Sequence, residues 1–532
     1  MLLDALVQAS AQVAATRSRL AKRAVLAEVL GQAAPDEIGL VATYLSGSLR
    51  QRRTGVGWAS LHTTPAPAEV ATLEVADVDA LFERMSIESG EGSAARRTAE
   101  LATLFAAATT AEQQFLSALI FGELRQGASD SLVQDALAAV FQVPVAAVSR
   151  AAMLTGSTAS AATLVATGGL DALEAVEVQV GIAIQPMLAA SAPNPLAASE
   201  KSGLPAFVDV KLDGIRIQVH RWPDDQGNDV IRLFTRSLDD ITDRLPEIVE
   251  QVAAIPEGRL VLDGEVMGLR ADRTPLPFQV ISSRTASSTD PEAGRAKVPL
   301  SLFVFDGLYL GARSLLDEPL SIRAEALQAT VPPELLVARH RVETAEQAEQ
   351  VFRDAVADGW EGVVIKKPDA PYAAGRRDAG WIKVKPRHTF DLAVIGAEWG
   401  YGRRTGWLSN LHLAARDPKT GTLVMLGKTF KGLTDALLVW QTEEMQRRES
   451  RRTATTVFID PPLVAEIAID GVQLSTRYPG GIALRFARVL RYRDDKAPEQ
   501  VDSLTDVLAL SPRIEPPESG HGDESSIRDS SR

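Results

Sequence analysis

Hydrophobic positions along this chain change their period twice. Residues 1 to about 180 are alanine-rich and carry apolar side chains at helical spacing. In Thr109-Thr110-Ala111-Glu112-Gln113 a capping-box pattern precedes Phe115, Leu116, Leu119, Ile120 and Leu124, a stripe of period 3.6. Gly122 and Gly127 mark its end, and Ser129-Asp130-Ser131 opens a further helix carrying Leu132, Val133 and Leu137. This stretch predicts an all-α domain. Between about 182 and 204 the pattern breaks into Gln185-Pro186-Met187-Leu188 and a Pro-, Ala- and Ser-rich segment, which reads as a linker.

From 205 to about 386 short β-type runs alternate with a few helices. They cover Phe207 to His220, Ile231 to Thr235, Leu260 to Met267, Leu302 to Leu308 and Gly362 to Lys366. A further β-rich section follows, with strands expected near Leu392 to Gly396, Leu408 to Ala414, Val424 to Phe430, Val464 to Ile469 and Ala483 to Tyr492. Five strands with glycine turns fit a small barrel of the OB type. The Pro-, Ser-, Asp- and Glu-rich run from 510 to 532 predicts a disordered tail. The organisation expected is therefore 1–181 helical, 182–386 α+β, 387–509 β-barrel and 510–532 tail.

The 532-residue length agrees with about three domains. With no cysteine, structural disulfides, thiolate zinc sites and cysteine nucleophiles are excluded, and the six scattered histidines form no metal-ligand pair. The amino terminus lacks a basic leader and no apolar run reaches membrane length, so a cytoplasmic protein without membrane contact is expected. A net charge of −13 argues against a uniformly basic nucleic-acid protein. Arginines nevertheless cluster locally: Arg50, Arg52 and Arg53; Arg376 and Arg377; Arg403 and Arg404; Arg485, Arg488, Arg491 and Arg493. Such spacing suits a protein that wraps a duplex, and the abundance of arginine suggests a GC-rich bacterial genome.

Chemistry concentrates in two strands. In Val208-Asp209-Val210-Lys211-Leu212-Asp213, period 2 puts Asp209, Lys211 and Asp213 on one face, and Gly214 then allows a bend toward Arg216. Lys211 is nominated as a nucleophile. In Trp381-Ile382-Lys383-Val384-Lys385-Pro386, the two lysines share a face and would repel unless an anion such as a triphosphate lay across them. Glu361 and Glu265, at the edges of apolar runs, are carboxylates for salt bridges or for Mg²⁺ and a ribose hydroxyl.

K-x-D-G-x-R, Thr235-Arg236-Ser237, D-G-E-V, an aromatic strand ending F-D, E-G-V-V-I-K, W-I-K-V-K-P and a terminal R-x-D-K follow one another in an order that resembles the covalent nucleotidyltransferases. Among these the chain most closely resembles the ATP-dependent DNA ligases over nearly its whole length. The resemblance implies that Lys211 attacks the α-phosphate of ATP to form lysyl-AMP. It implies that Lys383 and Lys385, with Mg²⁺, favour the neutral lysine and stabilise phosphate charge. Arg216 and Arg236 would bind nucleotide or nick phosphate, Glu265 the ribose, and Phe305 would stack on adenine. Glu361, with Glu265 and Asp213, would serve the metal, and Asp209 would accept from the adenine amino group.

AMP would then pass to the 5′-phosphate of a nick in double-stranded DNA and be displaced by the 3′-hydroxyl, in replication, repair or recombination. The resemblance further implies that Arg493, Asp495 and Lys496 close over ATP as the last domain swings at a hinge near Pro386 to Asp391. Arg50, Arg52, Arg53, Arg403 and Arg404 are the expected DNA contacts, and a monomer is expected. Two positions depart from the family pattern: Asp209 stands where many relatives carry Glu, and Ala487 where proline is common. An RNA ligase or an mRNA-capping enzyme shares the first motif, and a non-catalytic DNA clamp is the alternative of another class. A large helical region ahead of the core favours a DNA ligase over these.

Overall fold

The computed structural model describes residues 1–510 apart from 52–53, 62–63, 125, 287–289 and 374–376. All of the tail expected at 510–532 except Leu510, and the candidate DNA contacts Arg52 and Arg53, lie outside the described residues.

Helices run from Leu3–Ala15 to Thr158–Glu174 and bury one shared core, which includes Leu6, Val41, Phe82, Phe105 and Leu137. The capping box forms as spaced: Thr109 accepts from the Glu112 backbone, Glu112 answers the Thr109 N–H, and Phe115, Leu116 and Leu119 turn inward. Arg150 joins this region to the next by a two-pronged ion pair with Asp317, at 2.7 Å through each nitrogen.

The segment expected to be an irregular linker holds regular structure. Residues Leu188–Ser191 form a strand, β1, and Pro195–Ser202 a helix capped by Asn194. The Pro- and Ala-rich composition hid both, since so short a strand leaves no readable period.

Further strands are β2 (Ala206–Lys211), β3 (Ile215–Pro223), β4 (Asp229–Thr235), β5 (Leu260–Gly268), β6 (Leu300–Leu310), β7 (Arg313–Ser314), β8 (Arg339–Val342), β9 (Gly362–Lys366) and β10 (Arg377–Val384). They make two five-stranded sheets, ordered β1-β10-β9-β2-β8 and β4-β3-β5-β6-β7. The run from Phe207 to His220 is thus not one strand. β2 stops at Lys211, and the chain crosses to the other sheet through Leu212-Asp213-Gly214. Asp213 therefore does not share a strand face with Lys211, contrary to the alternation.

Gly214 makes the crossing possible by close approach. A Cβ there would meet the Val266 carbonyl oxygen at 2.2 Å and Met267 Sδ at 2.5 Å. Gly214→Ala must push β3 away from β5, and we expect a loss of at least about 2 kcal/mol, together with nucleotide binding. Chemical denaturation followed by tryptophan fluorescence checks this; an unchanged midpoint would show that the sheets can separate freely.

The last region holds β11 (His388–Trp399), β12 (Leu408–Arg416), β13 (Leu423–Thr429), β14 (Glu449–Arg452), β15 (Thr456–Ile469), β16 (Gly471–Leu474), β17 (Ile482–Arg485) and β18 (Arg488–Tyr492). Six of these form one sheet, β13-β12-β11-β15-β14 with β18 also on β15, while β16 and β17 pair only with each other. Among the described residues the strands do not close into a hydrogen-bonded barrel. At the gap, β13 meets β17 by packing: a Cβ on Gly427 would lie 3.5 Å from Leu484. The run Ala483 to Tyr492 is broken because Phe486 takes a left-handed conformation, φ 53°, between β17 and β18. The expected hinge is shorter than its sequence range, because Asp391 lies inside β11 and only Lys385, Pro386 and Arg387 join β10 to β11.

Candidate active site

The strand ends of both sheets and the β17–β18 turn of the last region enclose a cavity of about 990 Å³. Its lining includes Asp209, Lys211, Asp213, Arg216, Arg236, Glu265, Phe305, Glu361, Lys383 and Lys385, ten of the residues the sequence nominates. Antiparallel pairing of β2 with β9 sets Lys211 opposite Gly362, and the Glu361 N–H donates to the Lys211 carbonyl at 3.2 Å. Register alone thus delivers Glu361 to the lysine. Its Oε2 lies 2.5 Å from Lys211 Nζ, and its Oε1 pairs with Lys385 Nζ. One carboxylate therefore bridges two lysines that the sequence places 174 residues apart in chain order at 211 and 385.

Burial pulls the Lys211 pKa down, but Glu361, Glu265 and Asp213 outweigh it and hold the amine above the ordinary lysine range. These carboxylates act against the neutral form that Lys383 and Lys385, with Mg²⁺, are expected to favour. Glu265 accepts from the Gly214 N–H at 2.9 Å. Burial pushes its carboxyl up to about 7, against the opposing pull of Lys211, Gly214 and Arg216. Asp213 turns toward the last region, where Arg485 Nη1 lies 3.1 Å from its Oδ2. Glu361, Glu265 and Asp213 consequently form no ready-made cage, and no such cluster occurs among the described residues. Of the three carboxylates expected to serve a metal, Asp213 is paired with Arg485 of the last region.

Because its partners hold Lys211 as the ammonium, the unprotonated fraction grows as pH rises. We expect self-adenylylation at saturating ATP to climb between about pH 7 and 9. A flat profile in single-turnover labelling would contradict the assignment of charge around Lys211.

Arg216 is more constrained than a free phosphate ligand. Its guanidinium binds Asp263 at 2.9 and 2.6 Å and the Met187 carbonyl at 2.7 Å. Tyr372 completes that network by donating to Asp263 at 2.7 Å. Arg236 is exposed at the cavity rim, on the turn after β4. Phe305 meets Trp381 edge to face at 5.8 Å. Asp209 is 2% exposed and sits on the floor. Arg339 clamps it at 2.6 and 2.7 Å, and Lys366 Nζ lies 2.7 Å away. Burial favours the neutral acid, but these two cations outweigh it and lower the Asp209 pKa.

Arg339, Lys366 and Asp263 escaped the sequence reading as site residues. Lys366 and Asp263 lie inside motifs already recognised, and a lysine in an apolar strand was the signal available. Arg339 follows an apolar run without any motif around it.

The carboxy-terminal residues are elsewhere in this conformation. Arg493 donates to Asp391 at 2.8 Å and to Asp495 at 2.8 and 2.6 Å, and Lys496 lies 2.5 Å from Asp391. Arg493, Asp495 and Lys496 do not line the cavity; Arg485 and Phe486 do. Of the candidate DNA contacts, Arg50 is paired with Asp79 at 2.7 Å and Glu83 at 2.8 Å. Arg403 is exposed, and Arg404 donates to the Phe430 carbonyl at 2.6 Å.

Three family models match in order: "DNA ligase N terminus" over 59–138, "ATP dependent DNA ligase domain" over 186–385 and "ATP dependent DNA ligase C terminal region" over 404–496. A protein named probable DNA ligase from Beutenbergia cavernae is 53% identical over 519 residues, covering 96% of this chain and 100% of its own. The chain belongs to the ATP-dependent DNA ligases. A probable DNA ligase from Mycolicibacterium paratuberculosis is 48% identical over 513 residues, with 96% and 98% covered. A solved structure named Pmar-Lig_PreS3 shares the fold, with a TM-score of 0.59 at 20% identity over 92% of this chain and 99% of its own. As an ATP-dependent DNA ligase this enzyme uses ATP and acts on DNA. No helix among the described residues is long and apolar enough to cross a membrane.

Proposed function

We propose that Lys211 is the nucleophile of this ligase and that the cavity around it takes ATP with Mg²⁺. The observation that carries this reading is the single Glu361 carboxylate shared by Lys211 and Lys385 at the mouth of an otherwise apolar strand. Lys211 Nζ forms a bond to the α-phosphorus, the bond to the bridging oxygen of pyrophosphate breaks, and the amine gives up its proton. Lys383 and Lys385 offer positive charge to the phosphates. Glu265 takes the ribose, Arg216 and Arg236 the phosphate path, and Phe305 a face of the base.

Glu361 and Glu265 fit Mg²⁺ by donor chemistry, because this ion is held by one or two carboxylates with phosphates and water completing its shell. When bound it would neutralise phosphate charge. It would also take up the Glu361 charge that keeps Lys211 protonated.

The substrate of the later steps is a nick in duplex DNA, sealed in replication, repair or recombination by a monomer in the cytoplasm. The last region is an opened OB-type fold. Rotation at Lys385 to Arg387 would exchange Arg485 and Phe486 at the cavity for Arg493, Asp495 and Lys496, which Asp391 holds aside in this conformation. Arg403 and the outer arginines of the helical region would meet the backbone; Arg50, already paired twice, would contribute less.

Sealing of matched nicked DNA, nicked RNA and nicked hybrid substrates tests this reading. Preference for the DNA nick is expected, and equal or better sealing of RNA would favour an RNA ligase instead. A pure clamp would seal none of them.

A further inference from the structure

One face of β3 carries two buried polar side chains for which the proposed mechanism has no use. Alternation along the strand puts Arg216, Gln218 and His220 on that face. Arg216 reaches the cavity, whereas Gln218 and His220 are buried and do not line it. All three bind the same stretch of chain, residues 181–187, which leads from the helical region into β1. The Gly181 N–H donates to His220 Nδ1 at 2.9 Å. The Ile184 N–H donates to Gln218 Oε1 at 2.7 Å, and Gln218 Nε2 returns a bond to the Ile184 carbonyl at 3.1 Å. Arg216 Nη1 donates to the Met187 carbonyl at 2.7 Å.

These bonds fix one another. Because Nδ1 accepts from Gly181, the His220 proton sits on Nε2, 2.8 Å from Gln218 Oε1. Burial lowers the imidazole pKa to about 3, so the ring stays neutral and keeps this tautomer near neutral pH. Gln218 Oε1 thus accepts from both His220 and Ile184, and turning its amide over would break all three of its bonds. The far side of the stretch is held by the helical region. The Gln185 N–H donates to the Met153 carbonyl at 3.0 Å, at the end of the helix Val145–Leu154. Ile184 and Met187 share one core with Met153, Leu154 and the cavity residue Trp381.

The Met187 carbonyl, held from both sides, governs what Arg216 can offer a substrate. Asp263 binds Nε and Nη2, and Nη2 also lies 3.3 Å from the Tyr372 hydroxyl. Contacts along one edge leave the guanidinium plane free to swing about that edge. Met187 holds the opposite corner and stops the swing. Of the five N–H groups of a guanidinium, these partners use four among the described residues, and the one left is on Nη1. Its direction follows from where Met187 holds the other.

We propose that Gln218 is a positioning residue of this ligase: by pinning residues 181–187 it keeps the Met187 carbonyl against Arg216 and so aims the remaining Nη1 N–H at the phosphate path. This rests on the reading of Arg216 as a phosphate ligand.

The test uses the full chain and two single-turnover rates: self-adenylylation at saturating ATP, and sealing of a nick that already carries a 5′-adenylate. Arg216→Lys, which keeps the charge and loses the fork, identifies the step or steps that depend on Arg216. Gln218→Met keeps the side-chain volume and removes its hydrogen bonds. It should slow those same steps by about tenfold or more, the scale of a misplaced active-site group. Hydrogen exchange read by mass spectrometry should show the backbone amides of residues 179–188 exchanging roughly tenfold faster in Gln218→Met. Val219→Ala is the control: Val219 is buried on the other face of the same strand, so the change lowers the melting temperature without touching the pinned stretch. Its rates should stay within about twofold of wild type.

Wild-type rates in Gln218→Met would overturn the proposal. So would slowing without faster exchange of residues 179–188, or an equal slowing in Val219→Ala, which would make the loss one of general stability. Arg216→Lys separates the two levels: if it slows a step that Gln218→Met leaves untouched, only the role of Gln218 fails. If it slows neither step, the reading of Arg216 as a phosphate ligand fails and the proposal with it.

Discussion

Lys211→Ala will leave no detectable label on the protein from ATP labelled at the α-phosphate, and sealing of a nick supplied with ATP will fall to background. Neither Lys385 nor Lys366 is placed to replace the lost amine. Lys385 is tied to Glu361 and lies 3.8 Å from Asp470, and Lys366 is sunk beneath two aromatic rings beside Asp209. The same variant should retain sealing of a nick that already carries a 5′-adenylate, because displacement by the 3′-hydroxyl uses the phosphate-binding charges and not the amine. Loss of both activities together with a lowered melting temperature would indicate a folding defect, to be separated by Lys211→Met, which keeps the volume of the side chain.

The second large effect is at Glu361. Two hypotheses for this carboxylate predict opposite signs. As a mere ion-pair partner it would restrain the nucleophile, since it holds the Lys211 pKa up. Glu361→Gln would then lower that pKa and accelerate adenylylation near neutrality. If Glu361 instead carries Mg²⁺ at the phosphates, the substitution removes a metal ligand and transition-state stabilisation, and the rate should drop by about two to three orders of magnitude. We expect the drop, with a higher Mg²⁺ concentration needed for half-maximal rate and a pH profile displaced to lower pH. The rate and the profile are read in the same single-turnover experiment. A faster enzyme with unchanged Mg²⁺ requirement would remove Glu361 from the metal site.

Much of this architecture was legible because it is written in local patterns. β9 spans the Gly362 to Lys366 run read from the sequence, and the Thr109 capping box forms with its apolar stripe inward. Long-range pairing was not legible. Nothing local says that β2 and β3 belong to different sheets, so Asp213 was assigned to the Lys211 face when it meets Arg485 instead.

The same limit applies to charge. A motif shows which ionisable residues are present, but only register shows that Glu361 lies between Lys211 and Lys385, or that Arg339 clamps Asp209. Conformation of the last region is a third case. Arg493 and Lys496 belong to a recognisable motif, and their partner Asp391 was read as the end of a hinge, not as the group that holds them away from the cavity.

The Lys211 amine is proposed to become the carrier of AMP. This is tested most directly by incubating the full-length protein with Mg²⁺ and ATP in the absence of DNA, digesting it, and locating the adenylyl group by fragmentation mass spectrometry. One AMP is expected on the Lys211 side chain, with its discharge on addition of nicked DNA. An adenylyl group on Lys366, Lys383 or Lys385, or none on any lysine, would contradict it.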